Sequence, residues 1–251
     1  MPKTSKKLPQ LSLFFPAYNE QENIIRAIQE ALVVLPSVAK VYEVIVINDG
    51  SLDDTKKLAL SLARKNPHVR VVSQRNRGYG GALKRGFQAA RYDWIFFTDS
   101  DLQFNLNELK KLVKQTDLND MVLGYRTNRA EGLKRVTLAK LLKIWNRLFL
   151  GFPAQIKDID CAFKLIRKEV IRAVEPLMSD GAMISTELLL KAHHANFKYT
   201  QVGVKHYRRK YGQPTGSNWK VIARAVMETF ILRKKLLRQQ LRAIQPLHAS
   251  S

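Results

Sequence analysis

The alternation of short apolar runs with helix-like segments across the first half of the chain most constrains the fold. Apolar runs occupy residues 11–16, 42–48, 69–73, 94–100 and 121–124. Their near-continuous apolar content is typical of strands that are covered on both faces. Because helical segments of about 10 to 15 residues separate the runs, the pattern predicts βαβ units and an α/β fold around a mostly parallel sheet.

Capping residues predict where several of the intervening helices begin. Asn19 with Glu22 is typical of a helix start, and Asn105 with Glu108 repeats the pattern after the fourth run. The second half is organised differently: residues 161–174 predict a short strand that passes into a helix. Residues 184–196 predict another helix, and residues 198–207 predict strand.

The charge of the chain is unevenly distributed. The 43 Lys and Arg exceed the 21 Asp and Glu by 22. The stretches 126–147 and 205–242 together carry 16 of these excess positive charges. A positive surface in the second half indicates an anionic partner, for which phosphates, nucleic acid and an acidic membrane face are all candidates.

Two basic amphipathic helices are predicted in these stretches, over residues 133–152 and 218–244. The second begins with Trp219 and alternates apolar with basic residues, a pattern typical of a helix lying in an anionic membrane surface. The alternative is that its apolar stripe packs on the domain or on a dimer partner. We expect one main domain over 8–217, followed by this helix and a tail over 218–251.

The cysteine content and the apolar patterning bear on the location of the protein. Cys161 is the single cysteine, which excludes an intramolecular disulfide and favours a reducing cytosolic setting. The first ten residues contain lysines but no apolar stretch typical of a signal peptide. No run of about 18 apolar residues predicts a transmembrane helix. We therefore expect a cytoplasmic protein, peripheral on the inner face of the membrane.

Polar side chains follow three of the predicted strands. They are Tyr18, Asn19 and Glu20 after the first, Asn48 and Asp49 after the second, and Asp99 and Asp101 after the fourth. The carboxyl ends of parallel strands meet at one edge of a sheet, which is where ligands bind in such folds. The sequence therefore predicts one site at this edge.

Asp99 and Asp101 lie one residue apart, so their charges repel each other unless a positive charge lies between them. With Gln103 they form a set of oxygen ligands that suits Mg²⁺ or Mn²⁺. Such a metal would also bind a diphosphate and neutralise the charge of a leaving nucleoside diphosphate. The alternative is that both aspartates serve only as turn and capping residues. The other strand ends at the same edge favour the metal.

Four segments in order resemble the inverting glycosyltransferases of family 2, which have the GT-A fold and use nucleotide-sugar donors. They are FPAYNEQENI (15–24), VINDGSLDDT (46–55), NRGYGGALKRGF (76–87) and TDSDLQF (98–104). The triplet DLQ and the later HYRRKYG (206–212) resemble more narrowly the dolichyl- and polyprenyl-phosphate sugar synthases. The resemblance covers roughly residues 11 to 217.

The resemblance implies a role for each matching residue. The donor nucleotide is expected to contact Pro16, Tyr18, Glu20, Asp49 and Arg77. The metal and diphosphate are expected at Asp99, Asp101 and Gln103, and the acceptor phosphate at Arg126, Arg208 and Arg209 with Lys210 nearby. Asn48 departs from the commoner DDGS form of the second motif.

Glu187 falls where family members that act on hydroxyl acceptors carry a catalytic Asp in an ED pair, but here a leucine follows it. A hydroxyl nucleophile needs a general base, whereas a phosphate acceptor is already an anion at neutral pH. The missing pair favours a phosphate acceptor. Glu187 stays a candidate catalytic residue, with the alternatives that it orients the acceptor or a metal-bound water, or packs on its helix.

The sequence thus favours an enzyme that transfers a sugar from a nucleoside diphosphate to a polyprenyl phosphate, with inversion, at the cytoplasmic membrane face. One alternative is a family 2 enzyme acting on a glycan or glycolipid hydroxyl in cell-envelope polysaccharide synthesis. Another is a nucleic-acid-binding protein that uses the +22 charge. It would leave the strand-end carboxylates without a purpose, so we expect no nucleic acid partner.

Overall fold

The computed structural model describes residues 6–127, 147, 149–211 and 227–234. In this part of the chain, seven strands form one sheet in the order β3-β2-β1-β4-β6-β5-β7. The strands are β1 (Leu8–Ala17), β2 (Ala39–Asp49), β3 (Val69–Gln74), β4 (Trp94–Thr98), β5 (Met121–Arg126), β6 (Phe163–Arg167) and β7 (Tyr199–Val204).

Helices connect most of these strands. They are α1 (Ile24–Val34), α2 (Thr55–Lys65), α3 (Gly78–Ala89), α4 (Leu109–Val113), α5 (Lys168–Val174) and α6 (Ile184–His194). Two 3₁₀ turns, Leu35–Ser37 and Leu106–Glu108, follow α1 and precede α4. Residues 227–234 are also helical.

The strand directions confirm the predicted fold class. Strands β3, β2, β1 and β4 are mutually parallel, and β7 is parallel to β5. Strand β6 alone runs antiparallel to its neighbours β4 and β5. The sheet is therefore mostly parallel, and the reversal at β6 is a feature that the apolar pattern does not reveal.

Both faces of the sheet are buried, which explains why the strands are apolar at successive positions. Leu13 and Phe15 of β1 join a core cluster with residues of α1, α2 and α4. Phe14, between them, joins a second cluster with residues of α3, α5 and α6. Its ring stacks on Phe97 of β4 at 5.5 Å and meets Phe87 of α3 edge-on at 5.4 Å.

The predicted helix start at Asn19 is wrong, because Asn19 is used elsewhere. Helix α1 begins at Ile24, and Asn19 has a left-handed backbone with φ of 55°. Its side-chain oxygen accepts a hydrogen bond from the Leu52 amide at 2.8 Å, which ties the end of β1 to the loop after β2. The predicted cap at Asn105 is confirmed: its side chain accepts from the Asn107 amide.

The two predicted basic helices lie mostly outside the described residues. Of the second, residues 227–234 are described, and their two sides differ. Leu232 is buried in the α3 side of the core, whereas Met227, Phe230 and Ile231 are about half exposed. No helix within the described residues is long and apolar enough to cross a membrane.

The close packing of α3 on β1 generates a stability prediction. A Cβ atom at Gly86 would lie 2.4 Å from the Phe14 ring, inside contact distance. Gly86→Val should therefore lower the free energy of unfolding by about 2 kcal/mol, since overpacking outweighs the gain in helix propensity. Gln88→Val, on the exposed face of the same helix, should change it by less than about 0.5 kcal/mol. Urea denaturation would measure both, and equal values would contradict the packing.

Candidate active site

The strand ends meet as the sequence predicts. Strands β2, β1 and β4 are adjacent and parallel, so their carboxyl ends lie at one edge of the sheet. The loops that follow them are joined by hydrogen bonds. The Ser100 hydroxyl donates to the Pro16 carbonyl at 3.1 Å, and the Glu20 amide donates to the Thr55 hydroxyl at 2.8 Å. Tyr18 lies at the rim, 40% exposed.

Asp49 is buried at the end of β2 and connects it to the start of α3. Its Oδ1 accepts hydrogen bonds from the Gln74 side chain at 2.7 Å and from the Arg77 amide at 2.9 Å. The side-chain oxygen of Asn48, beside it, accepts a hydrogen bond from the Ser51 amide at 3.3 Å. Asn48 therefore still closes this loop, although it departs from the commoner DDGS form of the motif.

Asp99 lies in an unfavourable electrostatic environment. Burial, followed by repulsion from Asp101, raises its pKa from 3.8 to about 7. A hydrogen bond from the Tyr79 hydroxyl opposes this shift, and Glu20 adds further repulsion. Glu20, which follows β1, and Asp99, which follows β4, are thus close enough to interact, as the parallel sheet predicts.

Arg209 supplies a positive charge to this group. Its Nη2 lies 2.6 Å from Glu20 Oε1, and its Nη1 lies 3.6 Å from Asp101 Oδ2. Burial raises the pKa of Glu20, while hydrogen bonds from Asn23 and Arg209 lower it in part. Residues nearly 200 positions apart in sequence therefore form one charge cluster, which we call the strand-end cluster: Glu20, Asp99, Asp101 and Arg209.

Gln103 attaches the segment that carries Arg209 to the strand-end cluster. Its side-chain nitrogen donates to the Tyr207 carbonyl at 2.8 Å, and the Tyr207 amide donates to the Gln103 carbonyl at 2.8 Å. The Gln103 amide also donates to Asp101 Oδ1 at 3.1 Å, across Leu102 with φ of 62°. Arg208, next to Arg209, is exposed.

Arg126 lies in a different setting from Arg208 and Arg209. Its Nε and Nη2 bind the two oxygens of Asp158 at 2.7 and 2.9 Å, and its side chain is only 7% exposed. This bidentate pair connects β5 to the segment before β6. Contact between Arg126 and a phosphate stays a prediction.

Lys164 is a site residue that the sequence reasoning missed. It is fully buried on β6, and its ammonium donates to the carbonyls of Ile159 and Cys161. Burial lowers its pKa, and its charge acts on Asp99. It supports the 158–161 segment beside the strand-end cluster. The sequence feature that indicates such a residue is a lysine within an otherwise apolar run, CAFKLI (161–166).

Asp180 is, after Lys164, a second residue near the site that the sequence did not predict. Its carbonyl accepts from the Gly80 amide at 2.9 Å, and its Oδ1 lies 2.5 Å from Lys84 Nζ and 3.7 Å from Arg77 Nη2. Arg77 lines a polar cavity of about 440 Å³ beside α3, and the backbone amide of Arg77 donates a hydrogen bond to Asp49. Nothing in the local sequence indicates this contact, which spans a hundred residues.

Glu187, the candidate catalytic residue on α6, is inaccessible to solvent. Its carboxylate accepts hydrogen bonds from the amides of Met178 and Ser179 and forms an ion pair with Lys191 at 2.8 Å. Catalysis by Glu187 stays a prediction, and its observed contacts are with the protein itself. Among the residues that the structure describes, no three His, Cys, Asp or Glu side chains group closely enough to hold a metal by themselves.

The mostly parallel sheet with polar residues at its strand ends is the arrangement that the sequence predicts, and comparison with known proteins gives the family of the chain. The family model described as "Glycosyl transferase family 2" matches residues 12–174. The chain belongs to this family, as the four sequence segments predict.

Two named relatives show which members of the family the chain resembles. The chain is 31% identical over 213 residues to a dolichyl-phosphate beta-glucosyltransferase of Dictyostelium discoideum, which covers 77% of this chain and 65% of the relative. It is 26% identical over 220 residues to an undecaprenyl-phosphate 4-deoxy-4-formamido-L-arabinose transferase of Photorhabdus laumondii, covering 86% and 66%. The chain thus spans about two thirds of the length of these relatives.

Among solved structures, the chain resembles glucosyl-3-phosphoglycerate synthase of Mycobacterium tuberculosis, solved with Mn²⁺, UDP and phosphoglyceric acid. The TM-score is 0.66 at 18% identity, over 90% of this chain and 78% of that one. This similarity confirms the predicted GT-A fold.

The raised pKa of Asp99 generates a stability prediction for the protein in EDTA. Because the folded pKa of about 7 exceeds the ordinary 3.8, the folded state binds the proton more tightly. The Asp99 contribution to stability should therefore fall as the pH rises from about 4 to 7. Asp99→Asn, which is neutral at every pH, should stabilise the protein at pH 8 by about 1–2 kcal/mol. Thermal or urea unfolding at pH 5 and pH 8 measures this difference.

Asp117→Asn is the matched control, because that carboxylate is 75% exposed and remote in sequence from the strand ends. An Asp99→Asn variant that is no more stable than wild type at pH 8 would contradict the electrostatic description of the site.

Proposed function

We propose that the protein transfers a sugar from a nucleoside diphosphate sugar to a polyprenyl phosphate. The observation that supports it best is the strand-end cluster, in which Arg209 joins Glu20 and Asp101 beside Asp99. Carboxylates that would hold a metal and an arginine that would bind phosphate lie at one edge of the sheet. The names of the dolichyl- and undecaprenyl-phosphate relatives support the same reaction class.

The donor nucleotide would lie across the ends of β1 and β2. Pro16, Tyr18 and Glu20 line the first strand end and Asp49 the second. Arg77 immediately precedes α3 beside them. Asp49 is held in place by Gln74 and by the Arg77 amide, so its position is preorganised before a ligand binds.

A divalent metal, Mg²⁺ or Mn²⁺, fits the donor set of this site. Asp99 and Asp101 are hard oxygen ligands whose mutual repulsion is relieved by a cation, and the Gln103 side-chain oxygen accepts no hydrogen bond among the described residues. Two carboxylates with substrate phosphates are the usual coordination of Mg²⁺ in such sites. When bound, the metal would neutralise charge that develops on the departing diphosphate.

The acceptor phosphate would bind at Arg208 and Arg209, with Arg126 as a further predicted contact. An oxygen of this phosphate would attack the anomeric carbon from the side opposite the diphosphate. A carbon–oxygen bond forms as the bond to the diphosphate breaks, and the bonding electron pair leaves with the nucleotide, so the configuration inverts. The phosphate is already ionised, so the reaction needs no general base. The carboxylate of Glu187, which is inaccessible to solvent, is compatible with this chemistry.

We further propose that the protein meets its lipid acceptor as a peripheral protein on the cytoplasmic face of the membrane. The domain would extend over 8–217, and the basic helix and tail over 218–251 would form the contact. The exposed Met227, Phe230 and Ile231, on the described part of this helix, supply apolar side chains beside Arg233 and Lys234. Apolar and basic side chains together favour an anionic lipid surface.

A radiolabel transfer assay tests the proposed reaction. Polyprenyl phosphate in detergent is offered with UDP- and GDP-sugars, with Mn²⁺ or with chelator. Label should enter the lipid phase from one donor only when metal is present, and Asp101→Ala should reduce the rate roughly 100-fold or more. Asp117→Ala should transfer at the wild-type rate. Hydrolysis of the donor without a lipid product would instead favour a hydroxyl acceptor.

Vesicle cosedimentation tests the proposed membrane contact. The full chain should bind vesicles containing anionic phospholipid more strongly than neutral vesicles, and less so in high salt. Phe230→Ser with Ile231→Ser should weaken binding about tenfold, since two apolar anchors are lost. Leu118→Ser is the matched control, because Leu118 is 80% exposed before β5, away from the strand-end edge. Equal binding of both variants would contradict the proposed contact.

A further inference from the structure

The carboxylate of Glu187 lies at one end of a series of contacts that leads to the donor side of the site. It accepts from the Met178 amide at 2.9 and 3.0 Å and from the Ser179 amide at 2.8 Å. Burial acts to raise the pKa of Glu187, but Lys191 and the two amides outweigh it and hold the pKa below its ordinary value. The carboxylate is therefore ionised at neutral pH, and its hydrogen bonds hold residues 178 and 179.

Residues 178–180, which we call the clamp segment, lie directly against the first turn of α3. The Asp180 carbonyl accepts from the Gly80 amide at 2.9 Å, and its carboxylate reaches Lys84 and Arg77. The two backbones approach so closely because Gly80 has no side chain. A Cβ atom at Gly80 would lie 2.6 Å from the carbonyl carbon of Asp180 and 2.7 Å from the Ser179 oxygen.

The first turn of α3 in turn contacts both acidic strand ends. The Arg77 amide donates to Asp49 at 2.9 Å, and the Tyr79 hydroxyl hydrogen-bonds Asp99. Asp49 ends β2 and Asp99 follows β4, so the position of this one turn would affect both ends of a nucleoside diphosphate bound as proposed above. The contacts therefore run from Glu187 through the clamp segment to the donor site.

We propose that Glu187 is a positioning residue for donor binding. By anchoring the clamp segment, it holds the first turn of α3 against Asp49 and Asp99. This inference rests on the proposed function for the identity of the donor, but the mechanical link from Glu187 to α3 is independent of it. A role as general base would require contact with the acceptor instead of with backbone amides and Lys191.

Hydrogen–deuterium exchange tests the link without any ligand. Glu187→Gln preserves the size of the side chain but removes its charge and one acceptor oxygen. The amides of Arg77 and Gly80 should exchange about tenfold faster, the effect of losing one charge-assisted hydrogen bond. Glu169→Gln, on the exposed first turn of α5, should leave both amides at the wild-type rate.

Gly80→Ala tests the same link from the other side, with Glu187 intact. Alanine favours a helix, so the variant should keep α3 folded while its Cβ separates the helix from the clamp segment. It should also speed exchange at Arg77. This second variant keeps the proposal testable if Glu187→Gln folds poorly.

Binding and kinetics separate positioning from catalysis. With Mn²⁺ present, Glu187→Gln should weaken binding of whichever of UDP and GDP the wild type binds about tenfold, and should raise the donor KM to the same extent. At saturating donor, kcat and its pH profile should stay within about twofold of wild type.

The possible outcomes distinguish this inference from the proposed function. Unchanged exchange at Arg77 in both variants would overturn the clamp, whatever the nucleotide results. A loss in kcat with an unchanged donor KM would overturn positioning in favour of a catalytic Glu187. If the wild type binds neither UDP nor GDP, the proposed function fails, and exchange still decides the link.

Discussion

The repulsion among Glu20, Asp99 and Asp101 is the constraint on which the rest of the site depends. Two parallel strand ends, those of β1 and β4, bring these acidic residues together, and burial of Asp99 beside Asp101 raises its pKa to about 7. Positive charge beside such carboxylates favours their ionised forms. Arg209 supplies positive charge to Glu20 and Asp101, and a divalent metal that also binds the diphosphate of the donor would supply more. The same electrostatic requirement therefore accounts for the contact of Arg209 with Glu20 and Asp101. It also accounts for the proposed substrate, a nucleoside diphosphate sugar that binds with a metal.

The fold supplies rigidity to this charged edge. The strands beneath it are buried on both faces, and the loops above it are joined by short polar contacts such as Ser100 to Pro16. Two buried charged residues also hold the segments next to this edge in place. Lys164 supports the segment before β6, and Glu187 holds the clamp segment against α3. Preorganised groups of this kind lose little free energy to reorganisation when a ligand binds.

Much of this arrangement could be predicted from local sequence. The alternation of strands and helices predicts the parallel sheet, and the parallel sheet predicts that Glu20, Asp49, Asp99 and Asp101 meet at one edge. The contacts of Asp180 and Glu187 could not be predicted in this way. They depend on how α6 and the segment before it pack on α3, which is fixed by tertiary packing between residues far apart in sequence. Asn19 shows the same limit. Its sequence context is typical of a helix cap, but its side chain instead accepts a long-range hydrogen bond from the Leu52 amide.

The most direct test of the central claim is the linkage in the lipid product. ³¹P NMR of polyprenyl phosphate incubated with enzyme, metal and the accepted donor reports whether its phosphomonoester becomes a phosphodiester, and ¹H NMR reports the anomeric configuration of the sugar. The proposed reaction predicts a sugar phosphodiester whose configuration is inverted relative to the donor. A phosphomonoester that persists while the sugar is joined to a hydroxyl, or a product that retains the donor configuration, would contradict it.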